Sequence, residues 1–479
     1  MSLLLQIIVL LCFIGLVVVL FIEKLDYLVF AFIFIILAGI ATAFLLETPV
    51  DPSFHPNSID FYIEAIDWEV IAFLVAMFTI VEILNERKIF HEVSRRIVLK
   101  FKNRIRLMFY FICIVSTLSA SILEDLSVAI IFGPVIVLIC FSLRVNPTPF
   151  LLGMTVCINL ASTLTPFGSA ENVLIFNQLD LTFWFFLKNF SLYFIVATAI
   201  TLVLLDLTVL KRYLKENWAP KCIDLRDNPY GVETKEPVDS LRKDTKTVVI
   251  KSIESVDKNL EKQVDNKSFY LNLGAILVFI LLLVFIPTIW LPTFISLVIF
   301  VLINPVKSRG DEKARPNLNH YMRRVDFKLV FFFICLFVLV HLMEANGTIL
   351  LLEGILEYVS QSNVFVLSIA VLILTSVFSA FLDNAPVTIM FLPIIKILLE
   401  NGTFGTESAP IIIAFILGIN LGGNFLPQGS APDLMTLEIA REYCVDDLNY
   451  KKLFKVGGLF ALLHIALGIG YIALYVYVF

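Results

Sequence analysis

Long apolar runs separated by short polar stretches occupy most of the chain. About 20 apolar residues are needed to carry a helix across the hydrocarbon core. Runs of that kind lie near 3–22, 27–46, 67–86, 150–176, 183–210, 269–286, 289–304, 327–345, 409–438 and 453–478, which predicts ten crossings. Two further stretches, 107–143 and 364–400, each hold two arms joined at a polar point too short to be a solvated loop. They predict re-entrant hairpins, which a bilayer tolerates only where the tips are buried in protein or face a wet cavity. Runs 150–176 and 409–438 are interrupted midway by small, hydroxyl, Pro and Gly residues, and so predict broken helices.

The interruptions recur in the same order in each half. Ser119-Ala-Ser-Ile-Leu-Glu124-Asp125, leading to Gly133-Pro134, is echoed by Phe378-Ser-Ala-Phe-Leu382-Asp383-Asn384, leading to Leu392-Pro393. Asn159-Leu-Ala-Ser-Thr-Leu-Thr-Pro166-Phe-Gly168-Ser169-Ala170-Glu-Asn172 is echoed by Asn420-Leu-Gly-Gly-Asn424-Phe-Leu-Pro427-Gln-Gly429-Ser430-Ala431-Pro-Asp433. Paired breaks at corresponding points of two apolar halves are the sequence sign of a secondary transporter.

Positive charge orients the halves. Segment 87–106 (Arg87, Lys88, Arg95, Arg96, Lys100, Lys102, Arg104, Arg106) and segment 305–328 (Lys307, Arg309, Lys313, Arg315, Arg323, Arg324, Lys328) belong to the cytoplasm, whereas 47–66, 177–182, 346–363 and 401–408 contain no Lys or Arg. The count closes only if both hairpins return to the side they enter, the first from the cytoplasm and the second from outside, with both termini outside. The domains are then a first membrane repeat, 1–210, a cytoplasmic linker, 211–267, and a second, inverted repeat, 268–479. The linker, with 13 Lys/Arg and 11 Asp/Glu, reads as a solvated connector with one short amphipathic helix around Ile250, Ile253, Leu260 and Val264. Segment 87–106 carries apolar residues at helical spacing opposite its basic ones, and should lie flat at the inner headgroups. The N-terminal run lacks a positive n-region and a small-residue cleavage site, and reads as the first membrane helix rather than a signal peptide.

Composition agrees: 59% of residues are hydrophobic and 16% charged, with a mean hydropathy of +0.91. This describes an all-α integral membrane protein placed, as a multi-pass chain, in the cell membrane. The seven cysteines are scattered with no Cys-x-x-Cys spacing, which argues against a disulfide framework or zinc site. No nucleic-acid signature, nucleophile elbow, nucleotide loop or soluble catalytic domain is present, so an enzyme is not expected, nor is a cofactor beyond a coupling Na+ or H+.

Chemistry is expected where charge enters the apolar runs. A carboxylate at the bilayer centre costs roughly 2.5–3.5 kcal/mol on insertion scales, so Glu124, Asp125, Asp383 and Asp433 need a reason to be there. Binding cations or protons is the simplest; the plain alternative is that a carboxylate caps a broken helix. The breaks offer further ligands. A helix restarting at Gly168-Ser169 or Gly429-Ser430 presents free N–H groups and a positive dipole end, while the preceding arm presents carbonyls. The candidate site for substrate or ion is therefore Glu124, Asp125, Asn159, Thr163, Thr165, Ser169, Asn172, Asp383, Asn384, Thr388, Asn420, Asn424, Ser430 and Asp433. Pro166, Gly168, Pro427 and Gly429 make the breaks, and Asp125 and Asp383 are the places for a Na+ ion. His341 and His464 read as packed residues. Glu82, Lys188, Asp206 and Asp326 read as residues solvated at helix ends. Asn346-Gly-Thr and Asn401-Gly-Thr match the glycosylation pattern on the outer side.

Together these motifs resemble the ion transporter superfamily, in the branch of arsenite permeases, D-type sodium/proton antiporters and the melanosomal P protein, whose domain is citrate-transporter-like. Leu-Asp383-Asn384-Ala-Pro-Val-Thr388 resembles that branch's second hairpin. Asn420-Leu-Gly-Gly-Asn424 with Pro427-x-Gly429-Ser430-Ala431 is similar to its second broken helix, and Thr165-Pro166-Phe-Gly168-Ser169-Ala170-Glu-Asn172 to its first. The resemblance implies a midplane site and a homodimer in which a transport domain moves against a scaffold. It implies an ion transporter coupled to a cation or proton, carrying a small inorganic ion or small anion across the lipid bilayer; a sodium-coupled carboxylate or sulfate-like anion symporter is the alternative. The dicarboxylate relatives carry Ser-Asn-Thr at both hairpin tips, whereas these tips read Glu124-Asp125-Leu126 and Asp383-Asn384-Ala385, which argues against citrate or succinate.

Overall fold

The structure is a computed structural model that describes residues 3–20, 25–46, 58–90, 92–93, 96, 104–143, 145–214, 265–286, 288–306, 314–325, 327–349, 363–400 and 409–478. Its first half contains α1 (Leu3–Leu20), α2 (Tyr27–Leu45), the short α3 (Ile59–Glu64) and α4 (Trp68–Glu86). There follow α5 (Ile105–Ala120), α6 (Asp125–Ser142), α7 (Thr148–Ala161), α8 (Ala170–Gln178) and α9 (Phe183–Leu205), the last continuing through a π-helical turn, Asp206–Leu210, to Tyr213. The second half contains α10 (Asn266–Phe285), α11 (Trp290–Ile303), the short α12 (Leu318–Met322) and α13 (Phe327–Ala345). It ends with α14 (Val364–Phe381), α15 (Asn384–Glu400), α16 (Ala409–Gly422), a 3-10 turn at Pro427–Gly429, α17 (Ala431–Glu442) and α18 (Tyr450–Val478). Among the described residues seven helices are long and apolar enough to cross a membrane: α2, α4, α9 with its extension, α10, α13, α14 and α18.

Both predicted hairpins are pairs of helices with a turn of a few residues between them, and both predicted broken helices are interrupted at the expected place. The arms α7 and α16, 14 residues each, are about 21 Å long at 1.5 Å per residue, less than the ~30 Å core. Local chemistry fixes several helix starts. Asp26 accepts the N–H of Leu28, Asp67 that of Val70, Ser169 that of Asn172 and Thr182 that of Phe185, each removing an unsatisfied donor from a first turn.

Packing repeats between the halves. Within each half the first hairpin arm lies on the first arm of the broken helix, α5 on α7 and α14 on α16. Between halves, the second hairpin arm of one repeat packs on the second broken arm of the other, α6 on α17 and α15 on α8. The outer helices cross in the same way, α2 against α13 and α11 against α4. This is the pattern of a pseudo-two-fold, and it places the two breaks and both hairpin tips at the centre.

The polar contacts between element ends join ends that the charge pattern assigns to one side. At the ends assigned to the cytoplasm by charge, Arg87 donates to the carbonyl of Pro305 at 2.7 Å, Arg106 pairs with Asp206 at 3.0 Å, Lys328 with Asp26 at 3.1 Å, and Asn146 donates to Asp447 at 2.7 Å. At the ends assigned to the outside, Asn177 and Gln178 both donate to Asp67 at 2.8 Å, and Gln6 donates to the carbonyl of Asn346 at 3.1 Å.

Three expectations change. Asp206 is buried, held by Arg106 and the Tyr110 hydroxyl, because the π-helical turn carries it onto α5 rather than out to solvent. Asn346 is buried and its Oδ1 accepts the N–H and hydroxyl of Thr348, so it is not an accessible glycan acceptor. Glu82 pairs with Arg324 at 3.4 Å instead of standing alone at a helix end. Lys188 is exposed. His464 is fully buried against Thr201 and His341 packs on Phe61, as packed residues should. Most of the linker 211–267, most of the amphipathic segment after Arg87, Asp326 and Asn401 lie outside the described residues.

Candidate ion-binding site

The first hairpin turns at Glu124. Its carboxylate caps α6, accepting the Ser127 N–H at 2.8 Å and the Ser127 hydroxyl at 2.6 Å. Asp125 opens the helix. Its Oδ1 accepts the Leu126 N–H at 2.7 Å, its Oδ2 lies 3.4 Å from the Ser162 hydroxyl, and its own N–H donates to the Gly168 carbonyl at 3.1 Å. The first tip is thereby tied to the first break. In the second hairpin Asp383 accepts the Asn384 N–H at 3.0 Å. The Ser379 hydroxyl is 2.5 Å from Asn384 Oδ1 and 2.6 Å from the Ile419 carbonyl, which ties this tip to α16 just ahead of the second break. Asn384 Nδ2 donates to Glu171 Oε1 at 3.0 Å, joining the second tip to the helix that follows the first break.

Four carboxylates thus gather between the tips. Asp125 feels the charges of Glu171, Glu124 and Asp383, and Glu171 that of Asp383. Glu124, Asp125 and Glu171 are 6–8% exposed, and among the described residues no Lys or Arg is buried. Among the described residues, the starts of α6, α8 and α15 bring positive potential to the tips, about half a charge each. So much negative charge out of water demands bound cations or protons. Among the described residues no three His, Cys, Asp or Glu side chains converge as a metal cage, so amide, hydroxyl and backbone oxygens would have to complete any cation shell.

A second polar group lies where α7, α17 and the second break meet. Asn159 Nδ2 donates to Asn424 Oδ1 at 2.7 Å and reaches Asp433 Oδ1 at 3.5 Å, while Asn159 Oδ1 accepts the Ser430 hydroxyl at 2.9 Å. Thr155 donates to Asp433 Oδ1 at 2.5 Å. The counterpart pair across the two-fold is Asn420 and Asn172, with Asn420 Nδ2 donating to Asn172 Oδ1 at 2.9 Å.

The predicted residues therefore divide. Glu124, Asp125, Asp383 and Asn384 meet at the tips, and Asn159, Asn172, Asn420, Asn424, Ser430 and Asp433 link the repeats. Ser169 caps α8. Thr165 donates to the Ser121 carbonyl, fastening the break to the hairpin. Thr163 and Thr388 are not brought to the carboxylates; their hydroxyls donate to Leu160 and Asn384 carbonyls of their own helices. Pro166 and Pro427 sit within the two breaks. Gly168 and Gly429 are required for a reason other than a glycine-only backbone angle, since among the described residues Gly347 is the one glycine with positive φ. A Cβ on Gly168 would meet the Ala120 carbonyl at 2.8 Å, and one on Gly429 the Ser379 carbonyl at 2.5 Å. Ala120 and Ser379 are themselves repeat counterparts.

Sequence reasoning missed Glu171, Thr155, Ser162 and Ser379. Glu171 had a signal, an acid directly after a predicted helix restart, but its counterpart is Pro432 and the repeat comparison passed over it. The other three are ordinary hydroxyls inside apolar runs, and only packing reveals their role.

Against known families, residues 16–418 match the model described as "Citrate transporter". The chain belongs to this family. Among curated proteins, it is 22% identical over 385 residues to the "46 kDa membrane protein" of Mycobacterium leprae, a match covering 78% of this chain and 79% of that protein. It is 23% identical over 379 residues to an uncharacterized transporter of Mycobacterium tuberculosis, with the same coverage. It is also 20% identical to the mouse P protein over 467 residues, covering 87% of this chain and 54% of that longer protein. The fold matches the crystal structure of the Alcanivorax borkumensis YdaH transporter, with a TM-score of 0.50 at 11% identity over 94% of this chain and 98% of the other. This member of the citrate transporter family is a multi-pass membrane transporter.

Proposed function

We propose that the protein is a secondary active ion transporter of the arsenite-permease and sodium/proton-antiporter type, in which Asp125, Asp383 and Glu171 hold a coupling cation or proton between the hairpin tips. The observation that carries this reading is the cluster of buried Glu124, Asp125 and Glu171 with half-buried Asp383, beside which no Lys or Arg is buried among the described residues. A free di- or tricarboxylate would meet repulsion there, whereas Na+ or H+ would be attracted. Placing the charge at the junction of both repeats gives the ion a reason to couple to their relative motion. No cofactor beyond the coupling ion enters the reading.

A second reading, a sodium-coupled anion or carboxylate symporter, is favoured by the family's description as citrate transporters and by the helix starts at Ser169 and Ser430, whose N–H groups suit an anion. In that case the cation would have to enter with the anion and offset the carboxylates. Purified protein in proteoliposomes separates the two. Dissipation of an imposed pH gradient by Na+, Li+ or K+ supports the first. Labelled citrate or sulfate uptake that requires Na+, with no effect of these cations on the pH gradient, overturns it in favour of the second.

A further inference from the structure

The two breaks are closed by different chemistry. In the first, Asn172 on α8 donates Nδ2–H to the Ser162 carbonyl and, at 3.4 Å, toward the Thr165 carbonyl, while its Oδ1 accepts from Asn420. One amide side chain thus serves as donor to the unwound backbone and as acceptor from the opposite repeat. Asp433 occupies the corresponding place on α17. Its Oδ1 does what Asn172 Oδ1 does, accepting from Thr155 and from Asn159, the repeat counterpart of Asn420. Its Oδ2, in the role of Asn172 Nδ2, has no partner, although Asp433 is only 1% exposed.

The carbonyls corresponding to those of Ser162 and Thr165 are those of Gly423 and Leu426, and an ionised carboxylate has no hydrogen to offer them. Nor, among the described residues, does a charge elsewhere hold Asp433 ionised. Among the described residues, the elements packed most extensively on α17 are α6, α7 and the 3-10 turn. Their titratable side chains are Glu124 and Asp125 at the start of α6, Cys140 farther along it, and Cys157 on α7. None of these acts on Asp433, and Glu438, Arg441 and Glu442 of α17 itself are exposed. A buried carboxyl without a cationic partner neutralises rather than remain charged.

We propose that Asp433 is a proton-carrying site. Protonated, its Oδ2–H donates to the backbone of the second break as Asn172 donates to the first. On release the O–H bond breaks, the proton passes to water, the carboxylate keeps the electron pair, and the break loses its donor. One repeat thus has a permanent amide clasp and the other a clasp that opens with a proton. The site is separate from the carboxylates at the hairpin tips, and only its use in a transport cycle rests on the function proposed above.

The test uses purified full-length protein in detergent and needs no flux. Asp433→Asn replaces the protonated acid by an amide of the same shape. It should fold, and should lose one carboxylic-acid C=O band from the infrared spectrum at neutral pH. Wild type binds a proton at this site when folded that it gives up when unfolded at neutral pH, so this part of its stability falls as pH rises. The melting temperature of Asp433→Asn should therefore exceed that of wild type by a margin that widens toward alkaline pH. Asn172→Asp should do the converse, folding at acid pH and losing stability faster than wild type as pH rises. Three results would overturn the assignment: parallel melting curves with an unchanged C=O band, an Asp433→Asn protein that does not fold, or an Asn172→Asp protein as stable as wild type at every pH. A protein with these spectra that moves no ion in vesicles would refute the transport reading and leave the proton site standing.

Discussion

At the scale of residues, carboxylates at membrane depth and small groups that let them meet define the problem. Asp125 is tied to the first break through the Gly168 carbonyl and the Ser162 hydroxyl, Asp383 accepts the N–H of its neighbour Asn384, and Glu171 is held by Asn384 from the opposite repeat. Asp125→Asn, Asp383→Asn and Glu171→Gln keep shape while removing charge. Each should weaken apparent cation affinity by about two orders of magnitude, roughly 3 kcal/mol, with the purified protein still folded by gel filtration. Flux at wild-type cation affinity in all three would remove the cluster from the mechanism. Glu124 differs, because its carboxylate is already occupied in capping α6. Glu124→Gln retains an acceptor oxygen for the Ser127 N–H and should change cation affinity less than Asp125→Asn in the same assay. Because a proton and a cation compete for the same carboxylate oxygens, wild-type cation affinity should fall as pH is lowered. Affinity independent of pH would argue for uncoupled anion movement.

At the scale of elements, the breaks depend on close approach. Gly168 and Gly429 let the restarting arms touch the ends of α5 and α14, and Gly133 lets α6 meet Ile439 of α17, where an added Cβ would come within 2.5 Å. Gly168→Val and Gly429→Val would push a side chain against the backbone of α5 or α14, so relaxation must displace the hairpin tip itself. Transport should be abolished while much of the protein still inserts, as judged by flux per unit of folded protein. Gly274, with nothing within 4 Å of an added Cβ, serves as the control: Gly274→Ala should transport normally. Wild-type flux in both Val variants would mean that the breaks are not part of the moving machinery.

At the scale of the whole molecule, the inverted pairing of α6 with α17 and α15 with α8 makes each hairpin the neighbour of the other repeat's break. The sidedness this requires can be checked at exposed positions. After removal of background cysteines, Asp60→Cys should react with an impermeant thiol reagent from outside in intact cells. Asp446→Cys should react only after the membrane is opened. Labelling of Asp446→Cys in intact cells would overturn the inverted arrangement.

The helices, their approximate limits, the four interruptions and the membrane class were legible from the chain, because hydrocarbon thickness forces long apolar runs and every unsatisfied backbone group within them must be announced by Gly, Pro or polar residues. Asp125, Asp383, Asn384, Asn420 and Asp433 stood out for the same reason. Sequence periodicity carries no information about which side chains meet across 200 or more residues. Tertiary structure alone decided that Glu171 joins the cluster through Asn384, that Thr163 and Thr388 turn back onto their own helices, and that Asp206 and Asn346 are buried. It also decided why Gly168 and Gly429 must be small. The chain shows where polar groups enter the apolar runs; only packing determines whether each finds water, backbone or another repeat as its partner.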